Sequence, residues 1–386
     1  MNLLEHLGKR LLRDGGIATP QGTLAVTPQE CAVAAAQLGP RVVLKCQVPV
    51  GRRGKSGGIR FASSPAQARA EAGQLLGSIV GGFKVEDLLV EERIDIAREL
   101  YAAVLNDPVS KGPLLVFSTD GGMDIEEVNK TSPEKVLRAM VDIRHGLDLA
   151  AAADLLAGTD LTDRQRGSVA EALVRLYDIY RAVDAELVEV NPLVLTGQGA
   201  VVALDAKISL DPGATPRHTD SIRRLVAHLP DTATELVRQA RELGLALIEL
   251  DGSVGVLANG AGLTMSTLDA VSYYGGKPAN FLEIGGDAYT KATPALRLVL
   301  ANPRVRSLVV NFCGAFARTD VMAEGVVDAI EELRPSIPIF FCIHGTGEEE
   351  AVRLVRERLQ IKPFDLMDDA VKAAVAAAGR CPTEVA

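Results

Sequence analysis

Leu3, Leu4, Leu7, Leu11 and Leu12 recur at helical spacing and predict an amphipathic first helix closed by Gly15-Gly16. Thr27-Pro28-Gln29-Glu30 predicts the start of a second helix, with Thr27 as N-cap and Glu30 completing a capping box. Residues 41–48 form an apolar, β-branched run that predicts a strand, followed by the glycine-rich loop 51–58. Ser64-Pro65 opens a helix expected to reach about residue 80. Strands are expected at 87–95, 98–106 and 113–118; with no helix between them they predict an antiparallel sheet. A helical stretch is expected over 131–182, and two apolar runs around Gly197-Gln198-Gly199 then read as a hairpin with a three-residue loop.

The rhythm changes after a connector-and-helix segment at 211–250. Strands at 254–258, 279–284, 306–312 and 337–343 alternate with helices near 263–274, 291–301, 320–333 and 348–358, which predicts a doubly wound parallel sheet. The expected organisation is an α+β domain over 1–235 and an α/β domain over 245–386.

The hairpin carries the most chemistry. If Thr196 faces Ala200, Asn191 faces Asp205 and Glu189 faces Lys207, and all four polar groups leave the same side of the sheet. An amide and a carboxylate with Cβ atoms about 4.5–5.5 Å apart can share a hard cation, and magnesium with nucleotide phosphates fits best. A cross-strand Glu189–Lys207 ion pair beside an Asn-Pro turn explains the same spacing without a ligand. Lys45, mid-strand among Val42, Val43 and Leu44, either snorkels or meets phosphate. Loop 51–58 has three basic residues among four glycines, but it lacks P-loop spacing. Glu91 and Glu99, at strand ends, could accept from an adenine amine or ribose, or simply be solvated. In the second half, Asn259-Gly-Ala-Gly262, Gly285-Gly-Asp287, residues 313–318 and His344-Gly-Thr-Gly347 all fall at carboxyl ends of parallel strands, where open sheets bind ligands.

Composition narrows the classes. The 386 residues are 47% hydrophobic and 24% charged with net charge −9, and no Lys/Arg-rich run favours nucleic acid. No apolar segment approaches the roughly 20 residues of a membrane span. The N-terminus shows early charges and helical period rather than a signal core, and five cysteines lack Cys-x-x-Cys spacing, so a reducing cytoplasmic setting is expected.

Taken together these segments resemble the β subunit of succinyl-CoA synthetase, an ATP-grasp carboxylate–CoA ligase. The landmarks are Val43-Leu-Lys45-Cys-Gln-Val48, Arg53-Gly-Lys55-x-Gly-Gly58, Leu89-Val-Glu91 with Glu99-Leu-Tyr101, Gly121-Gly-Met-Asp-Ile-Glu-Glu127, Glu189-Val-Asn-Pro-Leu-Val194, Leu204-Asp205-x-Lys207, Asn259-Gly-Ala-Gly-Leu263 and Pro278-Ala-Asn-Phe-Leu282. The resemblance implies an ATP-grasp domain followed by a flavodoxin-like CoA-ligase domain. It also implies ATP and CoA as co-substrates, CoA being held mainly by the partner, with Mg2+ as cofactor. Lys45, Arg52, Arg53, Gly54, Glu91, Ile94 (through its backbone) and Glu99 would hold the nucleotide. Asn191 and Asp205 would hold magnesium, and Glu189 would lie near the phosphohistidine of an α subunit. Asn259, Ala315, Phe316 and Ala317 would line the site of a small carboxylic acid, succinate by default. The implied cycle transfers phosphate from ATP to the partner histidine and then to the acid, before CoA displaces it.

Departures bear on the acid. Residues 312–318, Phe-Cys-Gly-Ala-Phe-Ala-Arg, replace the family's usual Ile-Phe-Gly-Gly-Ile-x-Arg, and Cys342-Ile-His-Gly345 stands where an Arg-Leu-x-Gly pattern is usual. Arg52 replaces a glycine, and Glu283-Ile-Gly-Gly-Asp287 replaces the common Asp-Val-Gly-Gly-Gly. Malate or another acid is therefore an alternative substrate. An ATP-grasp ligase forming an amide and a catalytically inactive regulatory subunit are the remaining readings. Pro20 resembles ATP-preferring rather than GTP-preferring members.

Overall fold

The computed structural model describes residues 1–379 apart from 52, 228, 230–232, 285–287 and 316. The chain folds as two compact units, Met1–Pro230 and Asp231–Ala386.

In the first unit, α1 (Glu5–Asp14) ends at Gly15 as its leucine spacing predicts, but its inward face also carries Glu5, Gly8 and Lys9. Strand β1 (Gly22–Ala25) leads into α2 (Pro28–Leu38), where Thr27 Oγ1 accepts from Glu30 N at 3.2 Å. The Glu30 carboxylate takes the N–H of Val26 at 2.7 Å rather than that of Thr27, so the expected capping box closes one residue earlier. Next come β2 (Val42–Cys46), β3 (Ile59–Ala62) and α3 (Pro65–Leu75). That helix stops at Leu75 rather than near 80, because Gly77 turns at φ +80° into the short ladder of β4 (Ile79–Val80) and β5 (Phe83–Lys84).

Strand β6 (Leu88–Glu92) does not join the two strands after it. It pairs antiparallel with β1 and β2 in a four-stranded sheet ordered β1-β6-β2-β3. The strands β7 (Ile96–Asp107) and β8 (Gly112–Ser118) belong to a second sheet, and Arg93–Asp95 is the crossing between them. After α4 (Ile125–Thr131) the expected continuous helix is interrupted by β9 (Val136–Met140). Pro133 and the extended Val136 break the helical run, and β9 finds hydrogen-bond partners on β8. Helices α5 (Leu149–Leu156) and α6 (Asp163–Ala182) follow, α6 opening on a capping box of Thr162 and Gln165.

The hairpin is β10 (Ala185–Thr196) with β11 (Val201–Ala203) and β12 (Lys207–Leu210). Thr196 N donates to Ala200 O at 2.9 Å, and Gly199 supplies the positive φ, +82°, of the three-residue loop. The second sheet runs β11-β10-β7-β8-β9, with β12 also on β10. One face packs on α1, α5 and α6 through Leu7, Leu12, Leu100, Val104, Phe117, Leu173 and Val188. Its other face buries only a small cluster around Tyr101, Ala103, Val116 and Val128. The unit ends with α7 (Asp220–Val226).

The second unit begins with α8 (Glu235–Glu242) and a strand in the expected connector, β13 (Leu247–Glu249). It continues through β14 (Val254–Ala258), α9 (Ala261–Tyr273), β15 (Asn280–Leu282), α10 (Ala288–Ala301), β16 (Ser307–Gly314), α11 (Thr319–Leu333), β17 (Ile339–Gly345), α12 (Glu348–Leu359) and α13 (Met367–Ala378). Strands β14, β16 and β17 are parallel in that order; β15 pairs antiparallel with β13 and bridges β14 at Val254–Pro278 and Ala258–Glu283. Residues of α9 and α13 cover one face, and those of α10, α11 and α12 the other. This is the doubly wound arrangement that the alternation predicts.

Candidate functional site

Register fixes the first part of the site. Glu189 pairs with Lys207 and Leu193 with Ala203, so on either side of the Asn191-Pro192 step Asn191 stands opposite Asp205, as the hairpin pattern predicts. The cross-strand ion pair is present as well, with Lys207 Nζ 3.3 Å from Glu189. Asn191 is held by the turn after β8: its Oδ1 accepts from Gly122 N and its Nδ2 donates to Met123 O, both at 2.8 Å. Gly122 has φ +71°, and a Cβ there would lie 1.9 Å from Glu99 Oε2. Only glycine lets this turn lie on Glu99 and Asn191 together.

Lys45 points inward from β2 into a buried ionic cluster. Its ammonium lies 2.9 Å from Glu5 and 3.0 Å from Glu91, and it also donates to the carbonyl of Leu204. Lys9 donates to both Glu91 oxygens at 2.6 Å and lies 2.8 Å from Glu5. Arg53 reaches Glu5 at 2.7 Å and Asp205 at 2.8 Å. Three carboxylates thus face three cations, and all but Asp205, whose side chain is 35% exposed, are nearly sealed from solvent. Burial alone would lower the Lys45 pKa, but Glu5, then Glu91 and Asp205, raise it above the ordinary lysine value, so the ammonium stays charged. Burial opposes ionisation of Glu5 too, yet Lys45, Lys9 and Arg53 hold its carboxyl well below the usual range. Lys9, by contrast, is lowered by its burial against the pull of Glu5.

The remaining expected nucleotide residues lie on other segments. Gly54 is exposed in the loop that Cys46 N closes on Gly58 O at 2.9 Å, and Ile94 is half-buried in the crossing between the two sheets. Glu99, half-buried, pairs through its backbone with Val194 of β10. Arg52 lies outside the described residues. Burial, then Glu189 and Asp124, push the Tyr101 hydroxyl upward, so it stays protonated beside Glu189. Sequence reasoning missed Glu5 and Lys9. Their signal is the i, i+4, i+7 stripe Glu5, Lys9, Leu12, which places two charges on the face that buries Leu12.

The second unit has its own loop cluster. Asn259 braces the end of β16, donating to Cys313 O and accepting from Cys313 N at 2.9 Å each. Ala315 is exposed and its carbonyl accepts from Thr346 Oγ1 at 2.9 Å; Ala317 is half-buried. Phe316 and residues 285–287 lie outside the described residues. His344 contacts the Asp365 carbonyl at 2.7 Å and Glu348 at 3.3 Å, which ties it to its neighbours.

Asn191 and Asp205 offer one amide and one carboxylate oxygen. Among the described residues no group of three or more His, Cys, Asp or Glu side chains gathers as a metal cage. Two hard oxygens from protein suit Mg2+, which keeps waters and takes phosphates for its other positions.

Comparison with known proteins agrees with this layout. A family model described as an ATP-grasp domain matches residues 2–195, and a CoA-ligase model matches 257–379. A succinate–CoA ligase [ADP-forming] β subunit of Rubrobacter xylanophilus is 42% identical, over 97% of this chain and 98% of that one. A [GDP-forming] β subunit of Thermus thermophilus is 40% identical over 98% and 99%. Among solved structures, an ATP citrate lyase from Methanothrix soehngenii superposes with TM-score 0.68 at 22% identity, over 97% of this chain and 99% of that chain, a likeness of fold. With paired ATP-grasp and CoA-ligase regions and about two-fifths identity along nearly its whole length, the chain belongs to the succinate–CoA ligase β-subunit family, whose members are acid–thiol ligases.

Proposed function

We propose that this chain is the nucleotide-handling β subunit of an ADP-forming carboxylate–CoA ligase with succinate as its acid. The observation that carries the reading is the convergence of Lys45 and Arg53 with Asp205, which stands opposite Asn191 in the hairpin. Lys45 and Arg53 are cations suited to neutralising phosphate charge, and Asn191 and Asp205 carry hard oxygens suited to a phosphate-bound metal. Asn191 and Asp205 would hold Mg2+, which when bound neutralises phosphate charge and orients the transferred group. Lys45 and Arg53 bind the phosphate oxygens, and Glu91 keeps the Lys45 ammonium directed. Glu99 and the backbone at Ile94 take the nucleoside end. Glu189, beside Tyr101, lies near the acceptor histidine of the α subunit and orients it. In the second unit Asn259 and residues 315–317 line the acid site. The net reaction is ATP, acid and CoA giving acyl-CoA, ADP and phosphate, by way of a phosphohistidine on the partner.

Phosphoryl transfer of this kind is mostly positioning and charge neutralisation, which is what this cluster supplies. Ala315 and Phe316, larger than the family's usual residues in that loop, motivate malate or another acid as the second reading. A steady-state screen of acids with the α subunit, ATP and CoA tests both. ADP release that requires succinate supports the first reading, and release with malate alone replaces it with the second.

A further inference from the structure

We infer that Glu5 is a positioning residue for the nucleotide's phosphates, its two carboxylate oxygens holding the Lys45 ammonium and the Arg53 guanidinium together from the buried face of α1. The inference rests on the proposed phosphate-binding role of Lys45 and Arg53. Each cation has other partners, Lys45 in Glu91 and the Leu204 carbonyl, Arg53 in Asp205 and the Cys46 carbonyl, but Glu5 contacts both and so links them. Glu5 Oε1 lies 2.9 Å from Lys45 and Oε2 lies 2.7 Å from Arg53, so one side chain sets the spacing of two cations from two different elements. Lys9, one turn later, ties the other Lys45 partner, Glu91, to the same helix.

The helix is itself registered against the hairpin. Leu3 N donates to Ile208 O at 2.9 Å, and a Cβ on Gly8 would come 3.1 Å from the Ala206 Cβ. Thus α1 is docked beside the segment that carries Asp205. The groups facing the Lys45 ammonium are Glu5 and Lys9 from α1, Glu91 from β6, Arg53 from the loop and Asp205 from the hairpin. Removing Glu5 leaves three cations with two acids, which weakens the hold on a charged Lys45 as well as its direction.

The test uses the full chain purified with its α subunit and follows partner phosphorylation against ATP concentration, so that KM and kcat are read separately. With Glu5→Gln, KM for ATP rises about tenfold or more, the scale of one lost hydrogen bond to a charged group. The loss falls mainly on KM, with kcat changed much less, because the nucleotide's hold is weakened rather than a proton-transferring group removed. Glu5→Asp recovers part of the lost affinity. The double variant Glu5→Gln/Lys9→Gln keeps two acids against two bases and so keeps the fold, yet its KM stays raised. A double variant with wild-type KM would overturn the inference, since Glu5 would then serve charge balance only. If Lys45→Met leaves KM for ATP unchanged, the phosphate-binding reading fails instead, and with it the premise.

Discussion

Replacing Asp205 with alanine separates the fold from the chemistry at this site. The carboxylate accepts from Arg53 at 2.8 Å and from Ala206 N at 2.7 Å, but Arg53 keeps Glu5 at 2.7 Å. The guanidinium is therefore not orphaned, and the structural loss is two hydrogen bonds to the carboxylate, the one from Arg53 being worth about 1.5–3 kcal/mol. Partial exposure of Asp205 places the cost at the lower end, and about 1.5 kcal/mol in a unit of this size lowers Tm by roughly 3–6 °C. The functional loss is far larger. Altering groups that merely support a metal ligand costs about 10–100-fold, so removing a ligand costs more than about 100-fold in phosphorylation of the partner. Asp205→Asn keeps an acceptor for Arg53 and recovers most of the melting temperature, but not the rate. The assay is transfer of label from γ-labelled ATP to the α subunit across a Mg2+ titration, with Tm measured on the same samples. Wild-type transfer and wild-type Mg2+ dependence in Asp205→Ala would refute the metal assignment.

Gly122→Ala forces a side chain onto Glu99 at φ +71°; nucleotide affinity falls and Tm drops by more than that of a surface substitution, read by calorimetric titration with MgATP. Ala315→Gly changes acid preference, measured as the ratio of kcat/KM for succinate and malate, and an unchanged ratio would move the acid site elsewhere. The folded Glu5 pKa lies below the ordinary value of about 4.3, so its contribution to stability is present above that value and is lost as pH falls through the folded pKa. The Tm gap between wild type and Glu5→Gln should hold steady from neutrality to about pH 5 and shrink below it. A gap that widens in acid would show that Glu5 is not ionised in the folded chain.

Local rules carried much of this fold because they act locally. The hairpin register followed from a three-residue loop and strand alternation, and the alternating strands and helices of the second unit followed from their turns. What was illegible depends on pairing between distant segments. Strand β6 looks like the neighbour of β7, yet it finds β1 and β2, and nothing in residues 88–92 states that choice. Strand β9 is short and partly exposed, so its alternation is lost among helix-forming neighbours until β8 supplies partners. In the site, Lys45, Glu91 and Asp205 were visible as single charges in apolar settings. Glu5 and Lys9 were hidden because a charged helix position is ordinarily solvated, and only the approach of β2 and β6 buries it.

The most direct test of the account mixes this chain, its α subunit, Mg2+ and γ-labelled ATP without acid or CoA. The account predicts stoichiometric ADP and an acid-labile, base-stable label on the α subunit alone, discharged by succinate plus CoA. ATP that binds without labelling the partner, or label that forms equally well in Lys45→Met, would contradict it.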